Sequence, residues 1–400
     1  MFIRHLSLTN FRLYARLELD LPRGLVVIQG DNAQGKTSLL EAIYFLATSH
    51  ALHTPVDRQV IRWGAEEEGP YPFAVLKALI QSNAGLRLIE IGMQRTESGR
   101  LRKEIRVDGL PKRAIDLVGQ LNVVLFFPAD VELVAGPPAL RRAFLDAALS
   151  QLDADYVRAL ERYARALANR NALLKQAQER PLDPDELALW DDQLVPAGVE
   201  VALRRRRAVS ALARLAAPIH RELSNGREYL EIVYQPNFDP LRPAALNTSY
   251  QISLDDAALP AGVAYDDLLA AFRRTLAERR REEIARGMTL VGPHRDELRF
   301  LANGLDLGEY GSRGQQRTAV LALKLAQAQW MREHTGEDPV LLLDEVLAEL
   351  DAYRRRCLLR FIERANQVII TTTDLQRLDQ ALLTQAMFLR VCAGVISPMA

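Results

Sequence analysis

Residues Gly30, Asp31, Asn32, Ala33, Gln34, Gly35, Lys36 and Thr37 match the pattern G-x-x-x-x-G-K-[ST]. The glycines let backbone N–H groups close around phosphate oxygens, the lysine reaches the β- and γ-phosphates, and the threonine hydroxyl suits Mg²⁺. Much later the chain reads four apolar residues at 340–343, then Asp344 and Glu345. A buried strand would deliver both acids to the edge where the phosphate loop sits. Asp344 suits a Mg²⁺ ligand and Glu345 a general base for the attacking water. Strands that end at solvent also finish with acids, so the pair gains its meaning from the loop. A third polar stretch, Gly-Ser-Arg-Gly-Gln-Gln-Arg at 311–317, precedes a helix-like run. Ser312 offers a hydroxyl, Gly314 close backbone approach, and the helix start a positive dipole end for a γ-phosphate. The loop of one copy already grips its own phosphate, so this turn would serve a second copy, in a head-to-tail pair. An ordinary polar helix cap accounts for the same residues.

Positioning these groups requires particular elements. Three strands are expected over 2–29, the last apolar and ending at a glycine, followed by a helix over 36–47. That strand, turn and helix is the context a phosphate loop needs. More strands are expected over 73–115, at 123–127 and at 367–374. From about Leu140 the texture turns helical. Leu145, Leu149, Leu152, Tyr156, Leu160, Tyr163 and Leu167 recur at three- and four-residue steps, which predicts one long amphipathic helix. The Pro-rich stretch 181–186 would break it, with a second helix to about Ala217, giving a hairpin of helices each about 45 Å long at most. Residues 235–264 read as loop, a charged helix follows, and Asn303-Gly304 marks a hairpin turn.

The expected fold class is α/β. A P-loop lobe (a mixed sheet with flanking helices) spans 1–135 and 331–400, and a mainly helical second lobe without long coiled-coil arms spans 136–330. Lys and Arg total 51, as do Asp and Glu, so any nucleic-acid contact must come from local patches. Cys357 and Cys392 have no metal-like spacing, which suits a reducing compartment. No signal-peptide core or apolar run long enough for a membrane span is present, and a cytoplasmic location is expected.

The phosphate loop, the 311–317 turn and the acids, in this order, resemble the ABC-type ATPases, although Arg313 stands where the commoner signature has a glycine. The stretches LSLTNFRLY, GDNAQGKTSLLEAIY, LNVVLFFPADVELV, GPHRDEL, YGSRGQQR, LLLDEVLAELD and QVIITTTDL resemble the RecF family of DNA-repair ATPases over nearly the whole chain. The resemblance implies an ATP- and Mg²⁺-dependent dimer, with Ser312, Gly314, Gln315 and the D-loop-like Asp351 contacting the partner's ATP. It also implies binding to gapped DNA and single/double-strand junctions, work with RecR and RecO to load RecA, and no membrane partner. Two departures stand out. Thr371-Thr372-Thr373-Asp374 occupies the place of the usual switch histidine, and Pro128 and Asp130 stand where a Q-loop glutamine is expected. Slow, DNA-stimulated hydrolysis is therefore expected. A transporter ATP-binding subunit shares the motifs, but its loop and signature lie much closer in sequence. A chromosome-maintenance ATPase would need a longer helical insert.

Weaker signals remain open. Residues 87–113 hold eight basic residues against four acids, and Arg100, Arg102, Lys103 and Arg106 form a candidate DNA patch; a charged sheet edge explains them equally. Arg204–Arg207 and the arginine-rich helix 273–286 are alternatives, the latter reading more as a salt-bridged face. Arg12 could touch nucleotide or sit on a surface strand. His294 reads as a loop hydrogen-bonder, and Tyr156 and Tyr163 as core.

Overall fold

The computed structural model describes residues 1–51, 57–65, 71–98, 100–180, 184–238, 264–375 and 386–399. Most of the expected 235–264 loop, and residues 181–183 of the expected helix break, lie outside them. The chain divides into two compact units: Met1–Asp130 with Glu222–Asn225 and Lys324–Ala400, and Val131–Arg221 with Gly226–Leu323.

In the first unit, β1 (Phe2–Phe11), β2 (Tyr14–Asp20), β4 (Phe73–Ser82), β5 (Gly85–Arg95), β6 (Leu101–Val107) and β7 (Leu110–Lys112) form an antiparallel sheet in the order β2-β1-β4-β5-β6-β7. A second sheet runs β15-β14-β3-β13-β12-β8, from β15 (Val395–Pro398), β14 (Met387–Cys392), β3 (Gly24–Gln29), β13 (Gln367–Thr372), β12 (Val340–Asp344) and β8 (Val123–Phe126). All its pairings are parallel except β14 with β15. Strands β8, β12 and β13 are buried at every position, as continuous apolar runs are in sheets covered on both faces. Helix α1 (Lys36–Thr48) packs on both sheets, and Leu39, Leu40, Ile43, Phe45 and Leu46 disappear into a shared core with Leu6, Leu76 and Leu342. A helix with apolar residues on more than one side belongs in such a position. Gln367 is wholly buried, yet its amide is satisfied: Oε1 accepts from Ile3 N (2.9 Å) and Nε2 donates to Ile3 O (2.9 Å) and Pro22 O (2.9 Å). It ties β13 of one sheet to β1 of the other.

The second unit carries α2 (Glu132–Ala135), α3 (Pro138–Ser150), α4 (Ala154–Gln176), α5 (Pro184–Leu223) and α6 (Tyr265–Arg286). It also holds an antiparallel sheet β11-β10-β9, from β9 (Leu230–Gln235), β10 (Glu297–Ala302) and β11 (Leu305–Asp306). Two helix expectations are corrected. The single helix expected through Leu145–Leu167 is two, because the Asp153 carboxylate accepts from the backbone N–H of Asp155 and Tyr156 and starts α4 afresh; an N-cap of this kind contributes about 1 kcal/mol. The helix expected to stop near Ala217 runs on to Leu223 with Pro218 inside it. Burial of Leu212, Leu215, Ala216, His220 and Leu223 offsets the lost backbone bond. Helices α4 and α5 are antiparallel, joined by the ion pairs Arg170–Asp191 and Arg162–Glu200. The Asn303-Gly304 turn joins β10 to β11 with both residues at positive φ, 52° and 79°, as the expected hairpin requires.

Candidate nucleotide site

The loop after β3 is fixed by its neighbours. A side chain at Gly30 would stand 2.5 Å from Val391 O on β14, and Gly35 takes φ 114° with its carbonyl accepting from Tyr14 Oη at 2.9 Å. Gln34 is held at its backbone O by Gly394 N (3.0 Å) and at Oε1 by Ala393 N (2.6 Å). Asp31, Asn32 and Ala33 are exposed. Lys36 is buried, and its ammonium turns back into the loop, donating to Gly30 O (2.6 Å) and Asp31 O (3.0 Å) and pairing with Glu345 Oε1 at 2.9 Å.

Strand order places the acids. β13 lies between β3 and β12, and Asp344 registers with Thr371, which registers with Ile28. The three strands therefore end at one edge. Asp344 Oδ2 accepts from Thr37 Oγ1 (2.7 Å) and Oδ1 from Thr371 Oγ1 (2.6 Å). Glu345 sits in the left-handed region at φ 54°; its N–H donates to Thr371 Oγ1 (3.1 Å), and its Oε2 accepts from Thr373 N (3.2 Å). Thr371 is a site residue that sequence reasoning did not assign, since its hydroxyl matters only through strand order. Both Asp344 oxygens are thus directed by hydroxyls, and Thr37 Oγ1 with Asp344 Oδ2 makes a hard-oxygen pair suited to Mg²⁺. Among the described residues no group of three or more His, Cys, Asp or Glu could hold a metal by itself.

Helix α7 (Arg313–Thr335) starts at the second polar turn. Gln315 N donates to Ser312 Oγ (3.3 Å), while Ser312 N donates to Gln315 Oε1 (2.9 Å). This reciprocal capping box makes the polar-cap reading true of the turn within one chain. Gln315 Nε2 also donates to Glu228 Oε1 at 2.9 Å. Gly314 differs from its neighbour Gly311. A side chain at Gly311 would collide with Leu307 O at 2.5 Å, whereas one at Gly314 would meet only Ser312 Oγ at 3.9 Å, and Gly314 has no positive φ. Neither internal packing nor backbone strain requires glycine there. Asp351 caps α8 (Ala352–Ile362), accepting from Arg354 N at 2.9 Å and from the Arg354 guanidinium. The backbone bond foremost, and then the guanidinium, hold its pKa below the usual carboxylate value.

Residues 2–393 match the family model described as the RecF/RecN/SMC N terminal domain. The DNA replication and repair protein RecF of Chloroflexus aurantiacus is 44% identical over 408 residues, with 99% of each chain covered. That of Herpetosiphon aurantiacus is 42% identical, with 100% of each covered. The chain belongs to the RecF family. A solved recombination mediator protein RecF of the RecFOR pathway, RecF-ATPrS, superposes with a TM-score of 0.84 at 28% identity, covering 100% of this chain and 98% of the other. An Smc head domain from Pyrococcus furiosus shares the fold at a TM-score of 0.51 and 15% identity. The ABC-type α/β fold class of RecF proteins is thereby established for this chain. Among the described residues no helix is long and apolar enough to cross a membrane.

The remaining candidates sort by their contacts in this chain. Arg12 takes φ 52° and forks onto buried Glu41 (2.8 and 2.6 Å), with a third bond to Gln59 O at 3.0 Å. On β6, Arg102, Glu104 and Arg106 share the exposed face. Lys103 does not: its ammonium lies on the core side, donating to Ser49 O at the end of α1 (2.6 Å) and covering the Phe45 ring at 5.2 Å. Its grouping with Arg102 and Arg106 is corrected by strand alternation. Arg106 is held by Glu104 (2.7 Å), and Arg100 precedes the strand. Arg204 pairs with Asp153, buried Arg205 with Asp146 (2.8 Å) and Pro293 O (2.6 Å), and Arg206 is buried as well, so most of that arginine run is structural. Tyr156 and Tyr163 are core.

His294 bonds through both nitrogens, Nδ1 with Tyr163 Oη at 2.6 Å and Nε2 with Thr289 O at 3.1 Å. A carbonyl only accepts, so Nε2 carries the proton and Nδ1 accepts. Burial pushes the imidazole pKa down to about 4. In the unfolded chain it titrates near 6.5, so between those values only the unfolded state holds the proton, and acidification costs stability, at most about 3 kcal/mol. Next to it, burial raises the Asp296 pKa to about 6, a shift of opposite effect on stability. His294→Gln should lower stability at pH 7 by about 1 kcal/mol through lost hydrogen bonds, and because only the parent loses stability through this imidazole on acidification, the deficit should shrink and then reverse toward pH 4.5. Urea midpoints at both pH values test this; a deficit independent of pH would contradict a neutral buried imidazole.

Proposed function

We propose that this chain is an ATP-dependent DNA-binding repair protein, in which bound ATP joins two copies head to tail. The observation that carries this reading is the convergence of Lys36, Thr37, Asp344, Glu345 and Thr371 at one sheet edge. The 30–37 backbone and Lys36 would hold the triphosphate, and Thr37 and Asp344 the Mg²⁺, which supplies charge neutralisation on the phosphates. Glu345 would act as general base. Both of its oxygens are engaged, by Lys36 and by Thr373 N–H, so an attacking water meets the base only through its remaining lone pairs. This supports slow turnover, with ATP acting chiefly as a clamp; stimulation by DNA is proposed with it. Ser312, Gly314, Gln315 and Asp351 of the second copy would complete the site, and the open space over Gly314 is where a phosphate could approach. The proposal extends to a dimer that binds gapped DNA and single/double-strand junctions and works with RecR and RecO to help RecA load; the RecFOR pathway of its solved relative and the DNA repair role named for the others support it.

Sedimentation with Mg·ATP tests the clamp. Glu345→Gln is expected to sediment as a dimer, and adding Ser312→Arg should return it to monomer while a fluorescent ATP analogue still binds. A monomer at saturating ATP in the first variant, or a dimer in the second, would refute the trans arrangement.

A further inference from the structure

A cavity of ≈ 320 Å³ in the second unit lies against α6 and the segment after it, and none of its lining residues is one placed in the nucleotide site. Its walls bring together Arg279 and Arg286 of α6 and Arg295 of the Gly-Pro-His-Arg-Asp motif, a motif the ATP chemistry leaves unused. Among the described residues lining it, Glu282 is the one acid. Its two oxygens each hold a guanidinium, Oε2 that of Arg279 (2.9 Å) and Oε1 that of Arg286 (2.9 Å). Each bond occupies one nitrogen and leaves the rest of the donor fork available. Opposite them, Arg295 is steadied by Thr289 O at 3.2 Å and Met288 Sδ at 3.1 Å. Among the described lining residues three cations stand against one anion, a net positive set whose guanidiniums are positioned before any ligand arrives. Leu290 and Val291 supply an apolar lining.

We infer that this cavity is a phosphate-binding site, taking the phosphate groups either of a nucleic-acid backbone or of a free polyphosphate. Planar guanidiniums match phosphate oxygens two at a time, and three of them on one concave surface suit a polyanion better than a carboxylate. Apolar lining and modest volume suit a phosphodiester with its sugar. The nucleic-acid source rests on the DNA binding proposed above; the free-phosphate source does not.

The test uses the full chain carrying Arg286→Gln and Arg295→Gln. Both side chains are exposed, so an unchanged Tm is expected. Fluorescence anisotropy with a labelled gapped duplex, titrated over a KCl series, should show the slope of log K against log[KCl] falling by about one per lost contact. Arg273→Gln, on the same helix but outside the cavity, should leave it unaltered. Glu282→Gln removes the one lining acid and should tighten binding, a sign that generic damage would not give. In a Lys36→Ala background, thermal stabilisation by tripolyphosphate reports the other source. Loss of that stabilisation in the cavity variants, with the DNA slope intact, assigns the site to free phosphate. An equal fall in the Arg273 control, or no change in either arm, overturns the inference. A wild-type chain that fails to bind DNA refutes the DNA reading and leaves the tripolyphosphate arm to judge the cavity.

Discussion

Glu345→Gln is expected to lower ATP turnover about 10²- to 10⁴-fold, the range a positioned general base contributes, while ATP binding persists. The substitution keeps the shape, so the Thr373 N–H can still be accepted by the amide oxygen, but it removes the negative charge that pairs with Lys36 at 2.9 Å. Freed from that partner, the ammonium has only the carbonyls of Gly30 and Asp31, and a triphosphate becomes its strongest acceptor. Binding should therefore tighten even as chemistry fails. Single-turnover hydrolysis and equilibrium binding of a fluorescent ATP analogue separate the two effects. A variant that hydrolyses ATP at the wild-type rate would remove Glu345 from the base role, and one that binds ATP more weakly would show that the ion pair does not compete with phosphate. Lys36→Ala should behave in the opposite way, losing one charge-assisted contact worth about 1.5–3 kcal/mol, or roughly ten- to a hundredfold in ATP affinity.

The parts of this site that the sequence made legible are those written in local spacing. Gly30, Gly35, Lys36 and Thr37 follow one strand and open one helix, so the loop and its context lie within a single stretch. The acids at 344 and 345 end a run of buried residues, and that run is itself the sign of a strand covered on both faces. What spacing could not convey was the order of strands. Thr371 matters because β13 lies between β3 and β12, and nothing in Gln-Val-Ile-Ile-Thr-Thr announces its neighbours. Gln367 is hidden for the same reason, its partner Ile3 lying at the far end of the chain. The split between α3 and α4 was readable in principle, because Asp153 is a strong capping residue, but the leucine spacing passes through the break and conceals it. Lys103 shows the opposite failure. Alternation places it across the strand from Arg102, and composition alone drew it into the basic patch.

The second large effect concerns Arg170, which has no exposed side-chain surface and which no motif announces. Its Nε donates to Asp191 Oδ1 (2.6 Å) on α5, one terminal nitrogen to Glu283 Oε2 (2.7 Å) on α6, and the other to Thr289 Oγ1 (2.8 Å). Its two carboxylate partners are 21 and 113 residues away in sequence. Burial opposes the charge, and the Glu283 and Asp191 carboxylates more than offset it, so the guanidinium pKa lies above its ordinary value. Glu283 is equally buried, with Oε1 accepting from Leu290 N at 2.8 Å, whereas Asp191 keeps a second partner in Arg280 at 2.6 Å. Arg170→Met would strand the Glu283 charge without a cation, and removing one member of such a network costs about 3–5 kcal/mol. Arg170→Met with Glu283→Gln should recover much of that loss, because a neutral amide in place of the carboxylate leaves no buried charge unpaired. Urea unfolding of the two variants and the parent, compared by midpoint and slope, checks the prediction. A double variant no more stable than Arg170→Met would place the cost in lost packing of the long arginine stem, and a single variant within 1 kcal/mol of the parent would show that the three helices are held together by their apolar faces alone.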